Sequence, residues 1–100
     1  MTKAQFWSYG FRISGHSTEN AEDDRGRALC AAVSSAAYMA ANTITEVIGD
    51  KAETRVGDGE MLLEVKKPSD KTVAVLSGLK LHLSELSKQY GKRLIVISEV

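Results

Sequence analysis

The sequence predicts an α+β fold: a two-layer arrangement in which a four-stranded, largely antiparallel sheet carries two helices on one face, in the order βαββαβ. Three observations lead there. Apolar residues alternate with period two near the N-terminus, and they recur every three or four residues in two longer stretches. An Asp-Gly pair separates two strand-like runs in the middle of the chain. The 100 residues are 43% apolar and 26% charged with one proline, enough for one hydrophobic core and unlike a disordered chain. No internal repeat or linker divides them, so a single domain over residues 1–100 is expected.

The elements follow in order. Trp7, Tyr9, Phe11 and Ile13 alternate with Ser8, Gly10, Arg12 and Ser14, the pattern of one strand with one buried face, ending at Gly15-His16. The polar run from Ser17 to Gly26 reads as a flexible loop, with Gly26 as its hinge. From about Arg27 to Ile48 the period changes: Leu29, Val33, Ala36 or Ala37, Ala40, Ile44 and Val47 or Ile48 recur every three or four residues, as on one face of a helix. Abundant alanine favours that helix, Asp23 and Asp24 suit its N-terminus, and Gly49 suits its end. Ala52 to Val56 and Met61 to Lys66 flank Gly57-Asp58-Gly59-Glu60 and form the hairpin. Ser69 is the candidate N-cap of a second helix whose stripe is Val73, Leu76, Leu79, Leu83, Leu86 and Tyr90, stopped at Gly91. Arg93 to Val100 closes as a strand apolar on both faces, which places it in the centre of the sheet or under a partner chain.

Composition excludes several function classes. Thirteen acids balance thirteen bases, so the basic excess of a nucleic-acid binder is missing and no direct nucleic-acid partner is expected. Met1 to Tyr9 lacks the apolar centre of a signal peptide, and no apolar run approaches membrane-spanning length, so a cytoplasmic protein without a membrane partner is expected. One cysteine cannot form an internal disulfide. With His16 and His82 as the two histidines, no structural zinc site or other metal or cofactor is expected.

Cys30 and His16 are the residues that suggest chemistry. A lone cysteine between Leu29 and Ala31 is ordinarily a small core residue. Here it falls in the first turn of the predicted helix, where free amides and the helix dipole favour a thiolate and can meet an oxyanion. His16 stands where the first strand stops, just after a glycine. A polar loop joins the two, so packing of strand against helix would turn both to one edge of the domain. A cysteine nucleophile needs such a neighbour to take its proton and later protonate the leaving amine.

Ser14-Gly15-His16 followed by Leu29-Cys30-Ala31-Ala32-Val33-Ser34-Ser35 resembles the ribosomal-processing cysteine proteases (Prp), which pair a Gly-His at a strand end with a Cys-Ala-Ala-Val-Ser helix start. The order of elements over the whole chain is similar as well. The resemblance implies a single cysteine-protease domain that removes the N-terminal extension of a bacterial large-subunit ribosomal protein, number twenty-seven, and that forms a homodimer. It implies Cys30 as nucleophile, His16 as general base and acid, and Ser34 as the motif serine one turn on. It also implies a mobile loop between histidine and cysteine.

The chain departs from the family pattern ahead of the cysteine. Many members carry an aspartate three positions before it, where this sequence has Arg27, and alanine is common where Ser17 follows the histidine. The motif therefore supplies no third, histidine-orienting acid, and Asp23 and Asp24 are the candidates, with helix-start electrostatics as their ordinary role. Glu19, Glu22, Asp23 and Asp24 together make the loop acidic, a feature suited to drawing in a substrate with a basic new N-terminus. His82, among leucines, reads as structural or surface, and Gly57-Asp58-Gly59 as a turn rather than a phosphate loop. Lys66-Lys67 and Lys92-Arg93 read as solvated ends. The competing readings are a non-catalytic ribosome-associated binding module and a degenerate protease homologue.

Overall fold

The computed structural model describes residues 1–16, 18, 20 and 22–99. The expected single N-terminal strand is two: β1 (Thr2–Trp7) and β2 (Gly10–Gly15) form a hairpin about Ser8-Tyr9. Helix α1 (Asp24–Asn42) runs on into a wider π-helical turn, Thr43–Ile48. Strands β3 (Ala52–Gly57) and β4 (Glu60–Val65) make the predicted hairpin, α2 (Asp70–Tyr90) follows, and β5 (Leu94–Ser98) ends the fold.

The sheet has five strands in the order β3-β4-β2-β1-β5 and is mixed rather than four-stranded. Its first four strands are antiparallel to their neighbours, and β5 lies parallel to β1. The extra strand escaped notice because apolar residues keep their even spacing straight through the turn. Phe11 and Ile13 do point into the core, but Trp7 belongs to the other strand and Tyr9 to the turn. Thr2, Ala4 and Phe6 are the inward residues of β1. Gly10 is needed at the turn's exit because a Cβ there would stand 2.0 Å from the Leu63 carbonyl oxygen.

One face of the sheet and one face of each helix bury each other. Phe6, Phe11, Leu63, Val65 and Leu94 meet Leu29, Val33, Ala37 and Ile44 from the first helical run and Leu76, Leu79 and Leu83 from α2. Burial of each such large side chain contributes about 1.5–3 kcal/mol. The predicted caps are present: Ser69 accepts from the Thr72 amide at 3.4 Å, and Gly91 ends α2 with φ 64°. Gly49, φ 87°, ends the π-helical turn.

Three further expectations change or narrow. Of the two placements expected for the C-terminal strand, the central one is excluded: β5 forms an edge, with Leu94 buried and Ile95 39% exposed. Asp24–Ile48 is, contrary to the reading above, long and apolar enough by composition to cross a membrane. In the fold its inner face, from Leu29 through Ile44, is committed to the core. Gly26 is no loop hinge: it is buried in the first turn of α1 with its amide donating to Asp23 Oδ1 at 3.0 Å. The helix starts three residues earlier than its alanine run suggests because Asp23 caps it.

Candidate active site

β2 ends in Gly15, whose amide donates to the Gly59 carbonyl oxygen at 2.8 Å. That bond extends the β2–β4 ladder by one pair and fixes the tip of the β3–β4 hairpin beside the strand end. His16 comes next and its backbone is held from the other side, with the Met1 amino nitrogen donating to its carbonyl oxygen at 2.5 Å. The imidazole lies over Gly59, where a Cβ would come within 2.6 Å of Nε2. Gly59 also has φ 69°, so the turn conformation and the approach of the ring both select glycine.

The neighbouring carboxylate is Asp58, with Oδ1 3.9 Å from His16 Nε2. This exceeds a hydrogen bond and acts as through-space attraction for a protonated ring. Asp58 is fully exposed while the imidazole is about half exposed, so water screens the pair.

From the opposite wall, α1 presents Cys30, Ser34, Ala37 and Tyr38, which share a face because residues three and four apart stack along a helix. Together with Val33, Ile13, Met61 and Val56 they line a cleft of about 200 Å³ that also takes in His16, Gly57 and Glu60. Cys30 is half-buried and forms no disulfide. The structure thus brings three expected residues, His16, Cys30 and Ser34, to one cleft.

Other expectations do not survive the geometry. Cys30 lies in the second turn of α1, not the first, because the helix begins at Asp24. Its amide is inside the helical ladder and so is no free oxyanion donor, and the dipole effect fades beyond the first turn. Asp23 and Asp24 are absent from the cleft lining. Asp23 caps α1 and pairs with Arg93, and Asp24 pairs with Arg27, the residue at the family's usual acid position. Two of the four loop acids expected to attract a basic substrate are thereby paired within the chain. Ser17, named for the flexible loop, and Glu19, named among those acids, lie outside the described residues. His82 is exposed on α2, as expected of a surface histidine.

Sequence reasoning missed Asp58, Gly59 and Tyr38. Asp58-Gly59 was legible as a turn, but a turn's neighbour across the sheet depends on the β2–β4 pairing, which no local pattern reveals.

Comparison with known proteins agrees with this architecture. The Prp protease of S. aureus, solved with a covalently linked product peptide, superposes with a TM-score of 0.83 at 14% identity, covering 99% of this chain and 100% of that one. The same protease with a substrate peptide gives 0.85 at 12% identity over 99% and 100%. SMU.848 from Streptococcus mutans gives 0.82 at 16% identity over 99% of each chain. No curated protein sequence matches the chain. The sequence profile described as cysteine protease Prp matches residues 1–95, and the chain belongs to that family.

Proposed function

We propose that the protein is a cysteine endopeptidase that removes the N-terminal extension of large-subunit ribosomal protein number twenty-seven. Family membership makes the chain a cysteine protease of the ribosomal-processing kind. The observation that carries the assignment of roles is the shared cleft: Cys30 from α1 and His16 from the end of β2 face one opening. In the proposed reaction His16 takes the Cys30 proton, and the thiolate attacks the scissile carbonyl carbon. The tetrahedral adduct collapses as the imidazolium passes its proton to the leaving amine. The shortened protein leaves as that amine and the severed extension remains as a thioester; water, deprotonated by the same imidazole, releases the extension as a carboxylate, and the proton returns to the thiol. Ser34, one turn beyond Cys30 on the same wall, is positioned to contact the bound acyl segment.

The apolar walls formed by Val33, Ala37, Val56 and Met61 suit large apolar side chains before the scissile bond. A homodimer fits the exposed apolar residues Met39, Val47, Val73 and Leu81, and light scattering at high micromolar concentration tests it. The decisive experiment incubates the protein with a synthetic leader peptide of the ribosomal protein and reads products by mass spectrometry. Cleavage at one bond is expected, lost in Cys30→Ala and reduced about a hundredfold or more in His16→Ala. An intact peptide, or cleavage persisting in Cys30→Ala, overturns the assignment.

A further inference from the structure

The alternation of hydrogen bonds in the sheet identifies which groups of β3 face outward. Gly15 N–H donates to Gly59 and Val65 N–H to Tyr9, both at 2.8 Å, so the odd-numbered residues of β4 bond to β2. Lys66 N–H donates to Lys51 at 3.3 Å, so the even-numbered residues of β4 bond to β3. In an antiparallel ladder a residue that bonds one neighbour alternates with one that bonds the other. Their β3 partners are Glu53, Arg55 and Gly57, which leaves the N–H and C=O of Thr54 and Val56 on the far side.

β3 is an edge strand, and among the described residues no strand lies beyond it. Its outer edge runs directly into the catalytic cleft. Val56, 57% exposed, and Gly57 both line that cleft, opposite Cys30 and Tyr38 of α1. Val56 pairs with buried Met61, so its side chain lies on the helix-bearing face of the sheet. An edge of this kind is a template for an extended chain.

We propose that the peptide substrate binds as a sixth strand on β3, its backbone bonded to Thr54 and Val56, in the groove between that edge and α1. The inference rests on the cysteine-protease reading and adds how the chain is held. Alternate substrate side chains then turn into the cleft, toward Tyr38 and Val56, while those between turn to the open face of the sheet. Sequence preference before the scissile bond should accordingly skip every second residue. The opposite edge, β5, is no equivalent site, because none of its residues lines the cleft.

The test uses the synthetic leader peptide in a series, each member carrying one backbone N-methyl group at a residue away from the scissile bond. Strand pairing predicts kcat/KM losses of about tenfold at alternate positions and little change between them, since only alternate amides point at β3. Uniform losses, or none, overturn the pairing while leaving the protease intact. Failure of the unmethylated peptide to be cut overturns the protease reading and this proposal with it. Val56→Pro removes an outward N–H without touching the β4 ladder, a change edge strands tolerate. It is expected to raise KM for the parent peptide about two- to tenfold. An unchanged KM counts against the pairing, and the N-methyl series on the unaltered protein decides the matter if the variant does not fold.

Discussion

A Cβ built on Gly59 would stand 2.6 Å from His16 Nε2, so the hairpin tip is the floor on which the proposed base rests. The floor is itself anchored, because the Gly59 carbonyl accepts from the Gly15 amide one residue before the histidine. The hairpin tip therefore bounds the ring on one side.

Gly59→Ala follows from this contact. The methyl group must displace the imidazole, and the positive φ of 69° costs a further roughly 1–2 kcal/mol in stability. The expected result is a folded protein whose cleavage of the leader peptide falls toward that of His16→Ala, about a hundredfold. Asp58→Asn should cost far less, since its carboxylate is fully exposed and 3.9 Å away. Peptide cleavage at a temperature where each variant is folded checks both. Activity of Gly59→Ala near that of the unaltered protein would show that the ring is not held by this contact.

Variants at Asp23 and Asp24 test whether either acid has more than a structural part. Asp23 caps α1 and pairs with Arg93, whose side chain is 27% exposed against 10% for Asp23. Asp23→Ala is expected to lose about 1–3 kcal/mol of stability, combining the cap with a partly buried pair. Thermal unfolding should fall by several degrees, while cleavage by the folded fraction stays within about threefold of normal. Asp24→Ala, which removes one exposed pair with Arg27, should barely move either quantity. A large fall in kcat for Asp23→Ala at full folding would make it the histidine's orienting acid after all.

What could be read from the sequence divides along a physical line. Elements with their own stop signals were legible: the Asp58-Gly59 turn, the Ser69 cap, and the Gly49 and Gly91 ends all stand where local chemistry demands. His16 at a strand end and Cys30 on the next helix were legible for the same reason. The β1–β2 turn was not, because Ser8-Tyr9 carries no strong turn signal and the alternation of apolar residues continues through it. The start of α1 was placed late because the apolar stripe begins at Leu29, whereas the cap lies six residues earlier. That slip moved Cys30 from the second turn to the first and gave it a dipole it does not feel. Strand order and the parallel β1–β5 pair depend on contacts distant in sequence, for which one chain carries no local mark.

Two glycines give a paired test of the sheet and of α2. At Gly10 a Cβ would meet the Leu63 carbonyl oxygen at 2.0 Å and its carbon at 3.1 Å, backbone that cannot give way without parting β2 from β4. Gly10→Ala should cost on the order of 3–5 kcal/mol. Gly78 lies exposed in the interior of α2 with nothing within 4 Å of a built Cβ. Gly78→Ala should stabilise by about 0.5–1 kcal/mol through helix propensity. Denaturant unfolding of the two variants reads opposite signs if the β2–β4 register and the α2 span are as described.

The acid limb of stability should depend on Asp50. Its Oδ2 accepts from the Ser69 amide at 2.9 Å, the Ser69 hydroxyl at 2.8 Å and the Thr72 hydroxyl at 2.6 Å, joining the end of the first helical run to the start of α2. The Ser69 amide, then the Thr72 and Ser69 hydroxyls, hold its carboxyl below the usual aspartate value of 3.8, against an opposing push from burial. Above that value the carboxylate is ionised in both folded and unfolded chains, and its contribution is fully present. As pH falls below it, the unfolded chain takes up the proton first, so stability declines, and the contribution is gone once pH has dropped through the lower folded value. Asp50→Asn keeps one acceptor oxygen but removes the charge that strengthens all three bonds. Urea unfolding should then show the variant less stable than the parent by a constant margin from neutral pH down to about pH 4, narrowing below it. A margin that persists unchanged to pH 2 would mean that the charge on Asp50 contributes nothing, and that packing around Thr72 carries the junction instead.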